Sequence, residues 1–100
     1  MIKHVVMWKL KDFAEGCSRE ENAKKIKSML ESLVGKIEQI VSLEVGVNIC
    51  NSDMAYDLVL ITEFEDEQKL KEYSNHPEHV KVSDFVTKVR VSRVVVDYTV

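Results

Sequence analysis

The stretch Ile2-Lys-His-Val-Val-Met-Trp-Lys-Leu10 decides the fold. Ile2, His4, Val6, Trp8 and Leu10 fall on one side of a period of two, and Lys3, Val5, Met7 and Lys9 on the other. Alternation with β-branched residues reads as a strand. After a loop holding Gly16 and Cys17, Ser18-Arg-Glu-Glu21 has the form of a capping box, in which Ser18 and Glu21 satisfy the free amides of a helix start. Ala23, Ile26, Leu30, Leu33, Val34 and Ile37 then recur at helical spacing, and Gly35 supplies a left-handed stop.

Residues 40–49 predict a second strand with Val41, Leu43, Val45, Val47 and Ile49 on one face. Its other face, Ser42, Glu44, Gly46 and Asn48, reads as the wet side of an edge strand. Asn51-Ser-Asp53 is turn chemistry, and Tyr56 to Phe64 form the third strand. Asp66 caps a short helix carrying Leu70 and Tyr73, which Pro77 interrupts and restarts. Val82, Phe85, Val86 and Val89 form its apolar stripe, and Val91 to Tyr98 the last strand.

The order is βαββαβ, an α+β arrangement that commonly gives a four-stranded antiparallel sheet with both helices on one face. Yet Val5, Met7, Val59, Ile61, Val91 and Val95 are expected on the opposite face. Each aliphatic side chain gains roughly 1.5–3 kcal/mol from full burial, so an apolar face of this size predicts a partner. A homodimer joined sheet to sheet is the expectation.

At 100 residues the chain has room for one domain, 1–100, with one core. Hydrophobic residues make up 45% and charged residues 31%, the mix of an ordinary globule, and the net charge of −3 is interspersed. Nucleic acid and anionic membrane surfaces are therefore not expected as partners. No apolar run approaches the roughly 18–20 residues that cross a bilayer. The opening residues have lysines inside the apolar stretch and no small-residue cleavage site, which argues against a secretory signal. Cys17 and Cys50 fit neither zinc spacing nor a disulfide framework, so a cytoplasmic protein with two reduced thiols is expected.

Histidine is the residue whose ordinary pKa lies nearest neutrality. His4 shares a strand face with Val6 and Trp8, and His79 lies three residues before Val82 and seven before Val86. Both are thus expected between helices and sheet, with Tyr73 from the preceding turn and His76 at the Asn-His-Pro break. Two readings fit. In one, His79 is a general base or acid while Tyr73 and His4 place or polarise a carbonyl. In the other, the histidines bond each other or backbone and Tyr73 only packs. No metal site is expected, because His76 and His79 with Glu78 lack a third ligand and the proline spoils their shared face.

Five segments carry a family resemblance: Lys3-His-Val-Val-Met-Trp-Lys-Leu-Lys11, Glu44-Val-Gly-Val-Asn48, Ala55-Tyr-Asp-Leu-Val-Leu60, Tyr73-Ser-Asn-His-Pro-Glu-His-Val80 and Arg93-Val-Val-Val-Asp-Tyr98. Together they resemble the stress-responsive A/B barrel domain (Dabb) family over essentially the whole chain. The Tyr-x-x-His-Pro-x-His element with a first-strand histidine is the specific part. The resemblance implies a ferredoxin-like fold and a dimeric α+β barrel of two sheets packed face to face. It also implies a cavity in each subunit that takes a small apolar or carbonyl-bearing molecule. Ligand contacts are then expected from Val6, Trp8, Leu58, His76, Val82 and Val86.

A plant polyketide cyclase of this family works without metal or cofactor. By that resemblance His79 is the base, Tyr73 its partner and His4 part of the lining, with no cofactor required. The cyclase has a further histidine in its third strand where this chain has Leu58, so a pocket is expected but not activity on the cyclase's own substrate. The alternatives the resemblance leaves open are a small-molecule binder, a cofactor-independent cyclase, isomerase or lyase, a cofactor-free monooxygenase, and a structural stress-response oligomer.

Overall fold

A strand with apolar residues on both sides belongs in the middle of a sheet, and that is where the first one lies. The computed structural model describes residues Met1–Val100. In it, β1 (Ile2–Leu10) pairs antiparallel with both β5 (Leu58–Phe64) and β6 (Arg90–Thr99), and β4 (Ser42–Val47) completes the sheet order β4-β5-β1-β6. Three helices, α1 (Arg19–Glu31), α2 (Glu67–Asn75) and α3 (Pro77–Val89), complete the ferredoxin-like α+β fold. The core joins Val6, Trp8 and Leu10 of β1 and Leu58, Leu60 and Phe64 of β5 to Ala23, Ile26 and Leu30 of α1, Tyr73 of α2, and Val82, Val86 and Val89 of α3.

The capping box forms as read. Ser18 Oγ accepts from the Glu21 amide at 3.2 Å, and Glu21 Oε1 accepts from the Ser18 amide at 2.9 Å. The helix ends earlier than Gly35, however, with Ser32 as its C-terminal cap. Ser32 Oγ donates back to the Met29 carbonyl at 2.6 Å, and the chain tightens into three-residue turns from Leu30 to Leu33 and from Leu33 to Lys36. The tighter winding keeps Leu33 and Ile37 buried but turns Val34 to solvent, against the helical stripe expected of it. Gly35 is still left-handed, at φ 91°, within that turn rather than at the helix end.

The presumed loop around Gly16 is a small hairpin, β2 (Phe13–Ala14) with β3 (Cys17–Ser18). Glu15 (φ 50°) and Gly16 (φ 76°) are both left-handed, the geometry a two-residue hairpin connection needs. Glutamate is a poor sign of that turn, which is why the sequence hides it. The second strand is also shorter than 40–49. Asn48 bonds the Cys50 amide and carbonyl through its side-chain oxygen and nitrogen, drawing the chain into a turn and leaving Ile49 fully exposed. Val41 and Val47 are exposed as well, so Val45 alone of that expected face is fully buried.

The last strand differs in register. Lys9 pairs with Ser92 and Leu10 with Arg90, so Val91 is an extra residue in a β-bulge. Val95 lies opposite Val6, hence on the helix side, while Val94 and Val96 lie opposite Met7 and Val5. Of the two β6 residues expected on the far face, Val95 is therefore on the helix side, and Val94 and Val96 take the far face beyond the bulge. One unpaired residue exchanges the faces of everything beyond it. Pro77 divides the second helical segment as read, with His76 extended (φ −66°, ψ 134°) between α2 and α3.

Removing the Ser18 hydroxyl leaves one α1 amide without its acceptor. Ser18→Ala is expected to lower unfolding stability by about 1 kcal/mol, measured as a reduced urea midpoint with an unchanged slope. An unchanged midpoint would show that water replaces the cap at no loss.

Candidate functional site

His4 reaches its place because even-numbered residues of β1 face the helices, and burial leaves it 7% exposed. Its Nδ1 lies 2.5 Å from Asp97 Oδ1, on the β6 residue directly opposite in register. A carboxylate only accepts, so Nδ1 carries the proton and Nε2 is left for another partner. Thr62, paired with His4 across β5, is buried and donates to the His4 carbonyl at 3.3 Å.

Tyr73 and His79 come from the two sides of the Pro77 break. Their ring centroids are 4.5 Å apart, and Tyr73 also packs on Phe64 at 4.9 Å and on His4 at 6.2 Å. His79 Nδ1 donates to the Ser74 carbonyl at 3.1 Å, a bond that crosses the break and fixes the ring. Nε2 of His79 is consequently the nitrogen with a free lone pair in the neutral ring. Burial pushes the His79 pKa below its usual range, against the Ser74 bond, and the nearby Arg93 guanidinium, with His4 and His76, acts in the same direction as burial. His79 is thus neutral at pH 7.

Tyr73 is wholly buried, and its hydroxyl has no hydrogen-bond partner. Burial pushes its pKa up to about 12, with Arg93 pulling the other way, so the phenol stays protonated. The Tyr73–His79 pair therefore meets through ring packing rather than through a hydroxyl bond. His76 is committed elsewhere: its Nδ1 accepts from the Glu78 amide at 3.1 Å and caps α3.

A cavity of about 120 Å³ opens between α1, α3 and the sheet. His4, Val6, Trp8, His79, Val82 and Val86 line it, bringing together six of the nine residues expected at the site. Tyr73, His76 and Leu58 are not on its wall. Tyr73 sits behind His79, and Leu58 lies opposite Trp8, one pair further along than Leu60, which takes the wall position opposite Val6. Sequence reading missed Leu30, Ser83, Thr87, Arg90 and Arg93. An arginine inside the β-branched run Val91–Val96 was the available sign, but its direction depends on the bulge. His4 and Arg93 also line a larger open groove of about 670 Å³ between α2 and β6, so the two spaces share a wall.

No group of three or more histidine, cysteine or acidic side chains is arranged to hold a metal ion. At the other end of the sheet, a mixed-charge hollow of about 530 Å³ runs along the 48–57 loop, with Arg19, Lys9, Glu20 and Asp57 on its wall. None of the three histidines reaches it.

Among solved structures, a dimeric ferredoxin-like protein of unknown function from Bacteroides fragilis is 32% identical, covering 99% of this chain and 95% of that one, with a TM-score of 0.83. A hydroxynitrile lyase from Passiflora edulis shares the fold at 12% identity and a TM-score of 0.81, covering 99% of this chain and 92% of that one. An uncharacterised protein of Streptomyces coelicolor is 34% identical over 82 residues, 79% of each chain. The sequence profile of the Stress responsive A/B Barrel Domain matches residues 2–100. On that match and these relatives, the chain belongs to the stress responsive A/B barrel domain family.

Proposed function

We propose that this chain is a homodimer whose subunits each hold a small carbonyl-bearing molecule between helices and sheet, where His79 serves as general base. The orientation of His79 carries the reading. With Nδ1 held by the Ser74 carbonyl, the ring offers Nε2 as its acceptor, and the ring forms part of a cavity wall. A neutral imidazole there accepts a proton from the carbon next to a carbonyl, the C–H electron pair remaining on the substrate as an enolate. Tyr73 acts as a positioning residue by packing against the imidazole. His4, aligned by Asp97, supplies a second ring nitrogen on the same wall.

The volume limits the guest. About 120 Å³ equals roughly four waters at about 30 Å³ each, so a handful of non-hydrogen atoms fits unless the molecule extends into the groove. The lyase of the same fold from Passiflora edulis is consistent with small-substrate chemistry on this scaffold.

The dimer reading rests on the far side of the sheet. Val5, Met7, Val59, Ile61, Val94, Val96 and Tyr98 share that face by register, and Val96 is 61% exposed in the single chain. Covering these side chains with a second copy removes apolar area from water at roughly 25 cal/mol per Å². The Bacteroides fragilis relative, itself described as dimeric, supports this assembly.

Sedimentation velocity at micromolar concentration is expected to give twice the chain mass, and Met7→Glu with Val94→Glu to give a folded monomer. A wild-type monomer would overturn the assembly. For the base, deuterium exchange at the α-carbons of butanone is expected to be faster than with an equal concentration of free imidazole. His79→Gln should lower that rate by about 100-fold, and equal rates in the two proteins would remove His79 from the chemistry. Because the folded pKa of His79 is depressed, its ring NMR signals should titrate with a midpoint below 6.5, and the exchange rate should fall through the same inflection. Stability should also decline as pH drops below 6.5, where the unfolded chain takes up a proton that the folded ring resists. A midpoint at or above 6.5 would contradict the burial seen here.

A further inference from the structure

The cavity is lined by two arginines, Arg90 and Arg93, whose charge the protein leaves unanswered. Arg19 meets Asp12 at 3.2 Å, Glu20 at 3.7 Å and Asp57 at 4.0 Å. Arg90 and Arg93, by contrast, form no ion pair. Neither side chain donates a hydrogen bond to the protein. Asp97, the nearest acidic residue on the same face of β6, is engaged with His4.

Their shared placement is not what a regular strand gives. Residues three apart in a strand point to opposite faces. The extra residue Val91 changes that, so Arg90 lies opposite Leu10 and Arg93 opposite Trp8, both on the helix side. Bulges often re-aim a side chain beside a site in this way. The result is two permanently charged arginines lining the cavity that His79 and His4 also line, with Arg93 shared between cavity and outer groove. Glu67 and Lys71, of opposite charge, also line the groove.

We infer that the ligand of this site is a small carboxylate that also bears a carbonyl group. Its carboxylate is held by Arg93 and Arg90 in charge-assisted hydrogen bonds, and its carbonyl end faces the histidines. The inference rests on the small-molecule reading above and narrows it from carbonyl compounds in general to their anionic members. A keto acid of about six or seven non-hydrogen atoms matches the volume of the cavity.

Acetoacetate and its uncharged methyl ester are the probes, titrated at constant ionic strength into protein with isotope-labelled histidine and arginine side chains. Acetoacetate is expected to shift the His79 ring and the Arg93 guanidinium signals together, and to bind at least about tenfold tighter than the ester. In the double variant Arg90→Gln/Arg93→Gln, acetoacetate should bind no more tightly than the ester does to the same variant. Arg93→Lys should retain part of the preference, having charge without the planar fork. If ester and acid shift His79 equally in the wild type, the cavity binds carbonyl compounds but the anion inference fails. A charge preference that survives the double variant overturns it too. If neither probe moves the His79 signals, the site reading itself falls, and the anion inference with it.

Discussion

A strand hydrogen-bonded along both edges has no backbone amide or carbonyl to spare, so it is held in one register by two neighbours at once. β1 is that strand, and the rest of the molecule is placed by it. Its inward positions set the depth of the core, and its outward positions make the other face of the sheet. His4 belongs to the site only because it shares parity with Val6 and Trp8. The pairing to Thr62 and Asp97 on either side then decides which groups can align its ring.

The second organising feature is the break at Pro77. Proline cannot donate to the preceding turn and forces the residue before it out of helical conformation. His76 consequently spends its ring nitrogen on capping α3, and His79, one turn in, is free to reach back across the break to Ser74. Two histidines three residues apart thereby acquire different roles. The first shapes the backbone, and the second carries the candidate chemistry. Burial, Arg93 and the other histidines all favour the neutral form of that ring, the form with an available lone pair.

Much of this was legible in the residues. Alternation in 2–10, the Ser18–Glu21 box and the Asn-His-Pro break are local signals whose physics acts over a few neighbours, and each led to the observed element. The errors came from local turn and side-chain chemistry that the apolar pattern does not carry, and from strand register. The Glu15-Gly16 hairpin depends on a strained glutamate that no propensity anticipates. Ser32 and Asn48 end their elements earlier than the apolar pattern does, because their side chains compete for backbone groups. At the site, parity alone put His4, Val6 and Trp8 on the wall, and helical spacing did the same for His79, Val82 and Val86. The choice between Leu58 and Leu60 required the register, and Arg93 required the bulge.

Consecutive side chains of β6 serve two surfaces. Arg93, Val95 and Asp97 belong to the helix side, and Val94, Val96 and Tyr98 to the other. Point substitutions at the first set retune the cavity and its groove while leaving Val94 and Val96 in place, so the two valines and the first set are free to diverge independently within a lineage. A single insertion or deletion in the strand has no such freedom, since it transposes both sets together. The evolutionary signature to expect is a strand that varies widely in sequence while its length, bulge included, stays constant.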